Sequence, residues 1–283
     1  MRSKLYLLSF LFLMLTIYNC NNPVENNDKT DSATVNHSVD KPLVEKQSIH
    51  HQTPNTPAEI LQKAEVPVLC YHRISESAKG DYSVSPATFE AHMKVLADSG
   101  FRSVLPNQLY DYLVFNNPLP EKPVMISFDD SRTEHFTVAA PIMEKYGFRG
   151  AFFIMTITYN KKNYMSTEQI KELAEKGHTI GLHSWDHTMA TKYKEETDWQ
   201  QQVVNPKAKL EGIMGKPVDY WAYPNGVYDH QAATELGRYF KLSFILSNKR
   251  DSIQPLQTVR RMIVPELTPQ GLLKSMKRTF FSE

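Results

Sequence analysis

From Val66 onwards the chain alternates between short, almost continuous apolar runs and longer segments in which apolar residues recur at helical spacing. The runs are Val66 to Tyr71, Val124 to Phe128, Gly150 to Met155, Thr179 to His183, Asp219 to Tyr223, Leu242 to Leu246 and Val259 to Val264. Apolar runs this short read as strands buried on both faces. Between them Ser85 to Ser99, Thr133 to Tyr146, Thr167 to Glu175, Asp198 to Met214 and His230 to Leu236 read as helices, several opened by Ser, Thr or Asp at the capping position. Gly100, Gly147, Gly177 and Gly215 follow where helices should stop. Such alternation predicts an α/β fold on a parallel sheet, closed into a barrel or open and doubly wound. No repeat of fixed period is visible.

The first 60 residues break this pattern. Arg2 and Lys4 precede an apolar run from Leu5 to Ile17, shorter than the ~20 residues that span a bilayer, which reads as an export signal. From Asn21 to about Glu59 polar residues and prolines prevail without a period, as in a disordered tether. His37, His50 and His51 lie in that stretch and read as solvated side chains. The expected organisation is a signal peptide over 1–19, a tether over 20–60 and a single catalytic domain over 61–283.

Composition narrows the partners. With 41% hydrophobic residues the chain can close a sizeable core, and 32 Lys and Arg against 31 Asp and Glu leave no field to attract nucleic acid. The two cysteines, Cys20 and Cys70, are too few for a disulfide scaffold. Cys70 reads as an apolar residue inside the first strand. The segment Ile17-Tyr18-Asn19-Cys20 resembles the lipobox of bacterial lipoproteins, although Asn19 stands where a small residue is usual. That resemblance implies a lipid anchor on Cys20 and a cell-envelope location. Cleavage by ordinary signal peptidase, giving a periplasmic or secreted chain, is the alternative.

Polar residues gather at the carboxyl ends of the strands: Tyr71-His72, Asp129-Asp130, His183 and Tyr223-Pro224-Asn225-Gly226. In β/α barrels that face carries the active site, so four segments distant in sequence are expected to meet there. Adjacent carboxylates leaving a buried strand need a cation or proton to offset them, unless they cap a helix before Thr133. His183 and His187, four apart on one expected helical turn, place two imidazoles on one face. A carboxylate with two imidazoles and an open position is the donor set of catalytic zinc. His178, His92, His135 and His230 read as structural or solvated.

The order SFDDS, HSWDH and YPNG resembles the polysaccharide deacetylases, the NodB-homology carbohydrate esterases, over roughly Val66 to Val264. The resemblance implies a distorted (β/α) barrel of about seven parallel strands. It implies Asp129 as catalytic base, and Asp130, His183 and His187 as ligands of a divalent metal, most often Zn2+. Three departures stand out: Ser131 replaces a usual Gly, Ala222 replaces the Arg of the third motif, and no His follows the strand near Val259. The early Val68-Leu69-Cys70-Tyr71-His72-Arg73 is similar to the branch that deacetylates poly-N-acetylglucosamine, in which the motifs are circularly permuted, and this makes His72 the candidate general acid. Arg260 and Arg261 lie on the last strand, where alternation sends one inward, a candidate to replace the missing Arg beside Asp129.

The implied reaction is removal of N-acetyl groups from a hexosamine polysaccharide. A backbone N–H of the Pro224-Asn225-Gly226 turn is the candidate oxyanion donor. Tyr71, Tyr223 and Trp185 are candidates to stack on sugar rings, with barrel packing as the alternative. Three other readings compete: an O-acetyl esterase of xylan or a similar glycan, an inactive glycan-binding surface lipoprotein, and a structural lipoprotein without metal.

Overall fold

The computed structural model describes residues 53–77, 80–247, 249 and 251–281. The expected signal peptide, Cys20, the three tether histidines and most of the tether lie outside the described residues. Among the described residues no helix is long and apolar enough to cross a membrane.

All seven apolar runs are strands, and they close a ring. Strand β1 (Val68–Tyr71) is followed by β2 (Arg73–Ile74) and β3 (Ser83–Val84), which pair with each other, and by β4 (Arg102–Ser103). Then come β5 (Pro123–Phe128), β6 (Ala151–Ile154), β7 (Thr179–Leu182), β8 (Tyr220–Ala222), β9 (Leu242–Leu246) and β10 (Val259–Ile263). Parallel pairing runs β5-β6-β7-β8-β9-β10-β1 and returns from β1 to β5. Strand β4 adds only to the start of β5, at Arg102↔Pro123 and Ser103↔Val124, where β1 has not yet begun to pair. The architecture is a closed barrel of seven parallel strands inside a coat of helices, a single α/β domain.

Alternation along the strands divides the core in two. Val68, Met125, Ala151, Phe153, Ala222, Leu242 and Phe244 belong to one buried cluster, which fills the barrel. Leu69, Ile126, Phe128, Phe152, Leu182, Trp221 and Ile245 belong to the other, which packs the strands against the helices. Both faces are therefore apolar, which is why the strands read as runs rather than as alternating patterns. Gly181 keeps room inside: a Cβ there would lie 2.6 Å from the Phe153 ring.

The helices depart from expectation in two ways. Helix α1 (Pro57–Gln62) opens with a capping box between Thr56 and Glu59, and the Asn55 N–H bonds Val114 O. Helix α1 thus lies across the boundary expected between tether and domain at residue 61. Helices α2 (Pro86–Asp98) and α3 (Pro106–Phe115) follow. The long segments expected as single helices are interrupted: π-helical His135–Ala139 leads into α4 (Ala140–Lys145), and, beyond α5 (Thr167–Glu175), Gln200–Val204 separates α6 (Glu196–Trp199) from α7 (Asn205–Met214). Each wide turn ends two residues before a proline, Pro141 or Pro206, which lacks an N–H and crowds the carbonyl four residues back. Helices α8 (His230–Leu236) and α9 (Pro269–Phe280) complete the coat.

Candidate active site

Because the seven strands are parallel, their carboxyl ends open on one rim. His72 follows β1, Asp129 and Asp130 follow β5, His183 follows β7, and Tyr223 follows β8. A cleft of about 280 Å³ on that rim is lined by His72, Arg73, Tyr82, Asp129, Asp130, Arg132, His183, His187, Asn225 and Leu246.

Asp129 and Asp130 diverge at once. Asp129, 1% exposed, turns into the barrel, where Arg261 of β10 donates from both terminal nitrogens, at 2.7 Å to Oδ1 and 2.8 Å to Oδ2. Arg261 is itself 1% exposed and lies 5.4 Å over the Phe153 ring that Gly181 accommodates. Burial alone would raise the Asp129 carboxyl, but Arg261 and, next, His183 outweigh it and hold the group well below the usual carboxylate range. Arg260, the neighbouring residue, points the other way, pairing with Glu65 and donating to Thr279 O. Arg260 therefore does not orient the base, since alternation puts only one of the two arginines inside.

Asp130 turns towards the histidines. Its Oδ1 lies 3.7 Å from His183 Nε2 and 3.6 Å from His187 Nε2, and the three donor atoms are all within 4.8 Å of one another. His183 Nδ1 is 2.7 Å from Ala222 O, and donating its proton there leaves Nε2 as a free lone pair. Burial lowers the His183 pKa, which keeps the ring in the neutral, ligating form. One carboxylate and two imidazoles converging in this way fit a divalent cation.

His183 to His187 is not the helical turn that the spacing suggested. It is an irregular loop in which Ser184 and His187 have φ of 66° and 74°, fixed by the His187 N–H donating to Ser184 Oγ at 2.8 Å. The rings still meet, with centroids 4.9 Å apart. Asp130, Ser131 and Asn225 are also left-handed, so three of the non-glycine residues with positive φ, Asp130, His187 and Asn225, line this cleft, and Ser131 and Ser184 adjoin lining residues in the chain. Such conformations cost about 1–3 kcal/mol each and persist where surrounding bonds over-determine them. For Ser131, standing where a glycine was expected, the Met155 N–H donates to Oγ at 2.7 Å and the Met165 N–H to the carbonyl.

His72 Nε2 lies 3.9 Å from Asp129 Oδ2, and His135 Nε2 donates to the His72 carbonyl, which fixes the backbone there. Burial lowers the His72 pKa, partly opposed by Asp129 and Asp130. Cys70 is a buried strand residue as expected, and its Sγ approaches Asp129 Oδ2 at 3.6 Å.

The aromatic candidates divide. Tyr71 and Tyr223 are wholly buried, the first between Phe89 and Phe128 and the second beside Trp221, so neither reaches a sugar, and Trp185 does not line the cleft. Pro224 and Gly226 are likewise buried, and the Gly226 N–H is spent on Tyr223 O, which leaves Asn225 as the part of the turn that faces the cleft. Three further lining residues are Tyr82 and Arg132, which lie outside the expected motifs, and Arg73, which ends the early motif without a role there. Tyr82 is 52% exposed and edge-on to His72, Arg73 pairs with Glu134, and the Arg132 guanidinium lies 4.7 Å over the Tyr164 ring.

The turn is held against β9. A Cβ at Gly226, where φ is +67°, would sit 2.2 Å from Leu246 Cβ and 2.5 Å from Leu246 N. Gly226→Ala is expected to destabilise the protein by about 1–3 kcal/mol in urea unfolding, by overpacking and strain. It should also lower turnover, because Asn225 must move.

Residues 116–240 match a family model described as polysaccharide deacetylase. The YxkH protein of Bacillus subtilis (strain 168) is 30% identical over 168 residues, covering 59% of this chain and 59% of that one. The chain thus spans about six-tenths of this curated relative. Among solved structures, a polysaccharide deacetylase from Bacillus cereus superposes with a TM-score of 0.67 at 26% identity, over 75% of this chain and 69% of the other. IcaB from Ammonifex degensii superposes at 0.61 with 26% identity, over 76% and 97%.

Proposed function

We propose that the chain, whose residues 116–240 match the polysaccharide deacetylase family model, hydrolyses N-acetyl groups of a hexosamine polysaccharide, similar to poly-N-acetylglucosamine, at the cell envelope. The observation that carries this reading is a carboxylate locked by a buried arginine, Asp129 on Arg261, in the same cleft as the Asp130, His183 and His187 donor set. A divalent ion on those three residues, which we take to be zinc, would supply Lewis acidity to the acetamide carbonyl and the attacking water.

The chain's own residues do the rest. Asp129, ionised throughout the neutral range, accepts the proton of the attacking water. The Asn225 N–H, presented by the left-handed turn, donates to the oxygen as it gains charge. His72 Nε2, 3.9 Å from the carboxylate that has taken up the proton, is placed to deliver a proton to the departing nitrogen. A pKa below the ordinary histidine value makes its imidazolium the stronger donor. The envelope location rests on the N-terminal sequence, whose signal and lipobox-like Cys20 give the route to a membrane anchor.

The test is acetate release from N-acetylglucosamine oligomers by the purified chain with zinc present, repeated after chelation. Release that stops on chelation and returns with metal is expected. Release unaffected by complete metal removal would overturn the assigned ligand roles, and no release in either state would overturn the deacetylase reading.

A further inference from the structure

We propose that Arg132 forms an anion subsite beside the reacting group, so that the preferred glycan carries a carboxylate or phosphate on a sugar adjoining the one deacetylated. The inference rests on the deacetylase reading and narrows it: the reacting sugar is an N-acetylhexosamine as in poly-N-acetylglucosamine, but its neighbour in the preferred polymer is acidic.

The charges of the cleft pair off, leaving Arg132 over. Asp129 is neutralised by Arg261, Arg73 by Glu134 at 2.8 Å, and Asp130 belongs with the two histidines. Arg132 lines the same cleft with no ion-pair partner among the described residues, and its Nε–H is buried without an acceptor. No intramolecular carboxylate therefore draws the guanidinium away.

It is nevertheless held in place. The backbone of Arg132 bridges that of Tyr164, and the adjoining Thr133 and Met165 N–H groups bond Asn163 O and Ser131 O. With its carbon 4.7 Å over the Tyr164 ring, the guanidinium has part of its rotamer freedom removed before any ligand arrives, and a planar guanidinium fork suits two-point binding of an oxyanion. The loop that carries Tyr164 also presents Lys161 and Lys162, both exposed, so this side of the rim is basic although the whole chain is nearly neutral. Such an edge attracts acidic polymer and repels a polymer already bearing free amines. A surface arginine without function would have no reason to be fixed in the cleft that holds the proposed base and ligands.

The experiment compares kcat/KM for acetate release from three oligomers of equal length, in the zinc-loaded protein. One is neutral tetra-N-acetylglucosamine, one carries lactyl ether carboxylates on alternate sugars, and one carries phosphates there. The native protein should prefer at least one acidic oligomer, and the arm preferred identifies the substituent. In Arg132→Gln the acidic-to-neutral ratio should fall by about ten- to hundredfold, chiefly through KM, and Arg132→Lys should restore part of it. The native preference should also fade with added salt. A native preference for the neutral oligomer, or an unchanged ratio in Arg132→Gln, would overturn the subsite. Should no oligomer release acetate, the deacetylase reading fails on its own, and equilibrium binding of the same oligomers decides the subsite. Weaker binding of an acidic oligomer to Arg132→Gln would support it, and equal binding would overturn it.

Discussion

Asp129→Asn should lower acetate release by about 10²- to 10⁴-fold, the range for losing a general base, while the protein still binds zinc. The amide is nearly the shape of the carboxylate but cannot take up the proton of the attacking water. Zinc binding should survive because Asp130, His183 and His187 are untouched, and the near-isosteric amide keeps the space of the carboxylate whose Oδ2 lies 4.0 Å from His183 Nε2. Stability should fall as well. The amide presents a donor to the donors of Arg261 and leaves the buried guanidinium without a counter-charge, a class of change that costs about 3–5 kcal/mol. The pH dependence separates the two effects. A carboxyl held below its ordinary value in the folded state stabilises that state above the unfolded pKa of about 3.9, and this contribution fades as pH falls further. The difference in unfolding free energy between native and variant proteins, measured without metal, should be full at neutral pH and shrink below about pH 4. Turnover within tenfold of native in a zinc-loaded variant would remove Asp129 as the base.

How much of this could be read from sequence depended on whether a residue's role is set by neighbours in the chain or across the barrel. The seven strands were legible because burial on both faces makes continuous apolar runs. The ends of those runs, at His72, Asp129 and His183, were legible for the same reason. Helix α1 has its start written in the sequence, since Thr56-Pro57-Ala58-Glu59 is a capping box, but the polar composition around it masks the signal.

The loop at His183 to His187 misled because spacing of four residues suits a helix and also suits an irregular turn with left-handed Ser184 and His187. The spacing does not mark those conformations, which are held by the His187 N–H donating to Ser184 Oγ and the distant Thr156 N–H donating to Ser184 O. For Tyr223 the sequence leaves sugar stacking and barrel packing open, and the structure settles on packing, since the last side chain of β8 and its neighbour lie beneath the rim. Arg132 and Tyr82 carried no signal, since only closure of the barrel brings the segments after β5 and before β3 to one cleft. Arg260 and Arg261 could be narrowed to a pair, and the register of β10 decides between them, placing Arg261 inside and Arg260 against Glu65.

That division makes the two arginines a controlled comparison. Arg261→Met should destabilise the protein by about 3–5 kcal/mol, the cost of stranding one member of a buried ion pair, and should lower turnover by at least about a hundredfold. Arg260→Met, breaking a pair between Glu65 and the outer side of the barrel wall, should leave turnover within a few-fold of native. The stronger test is the acidic limb of the pH–rate profile. Burial raises the Asp129 carboxyl, and Arg261 is the largest of the influences that lower it. With Arg261 gone, burial dominates, the carboxyl holds its proton to higher pH, and less of it is in the basic form at any given acidic pH. The acidic limb should therefore move to higher pH in Arg261→Met and stay in place in Arg260→Met. A merely structural arginine would lower folding stability and the amount of active protein without moving the limb. Arg261→Lys adds a further check. The ammonium keeps the charge but offers one point of contact where the guanidinium spans both oxygens at 2.7 and 2.8 Å. It should restore most of the shift in the limb and only part of the rate, because charge sets the carboxyl's ionisation and the two-point grip sets where its oxygens lie.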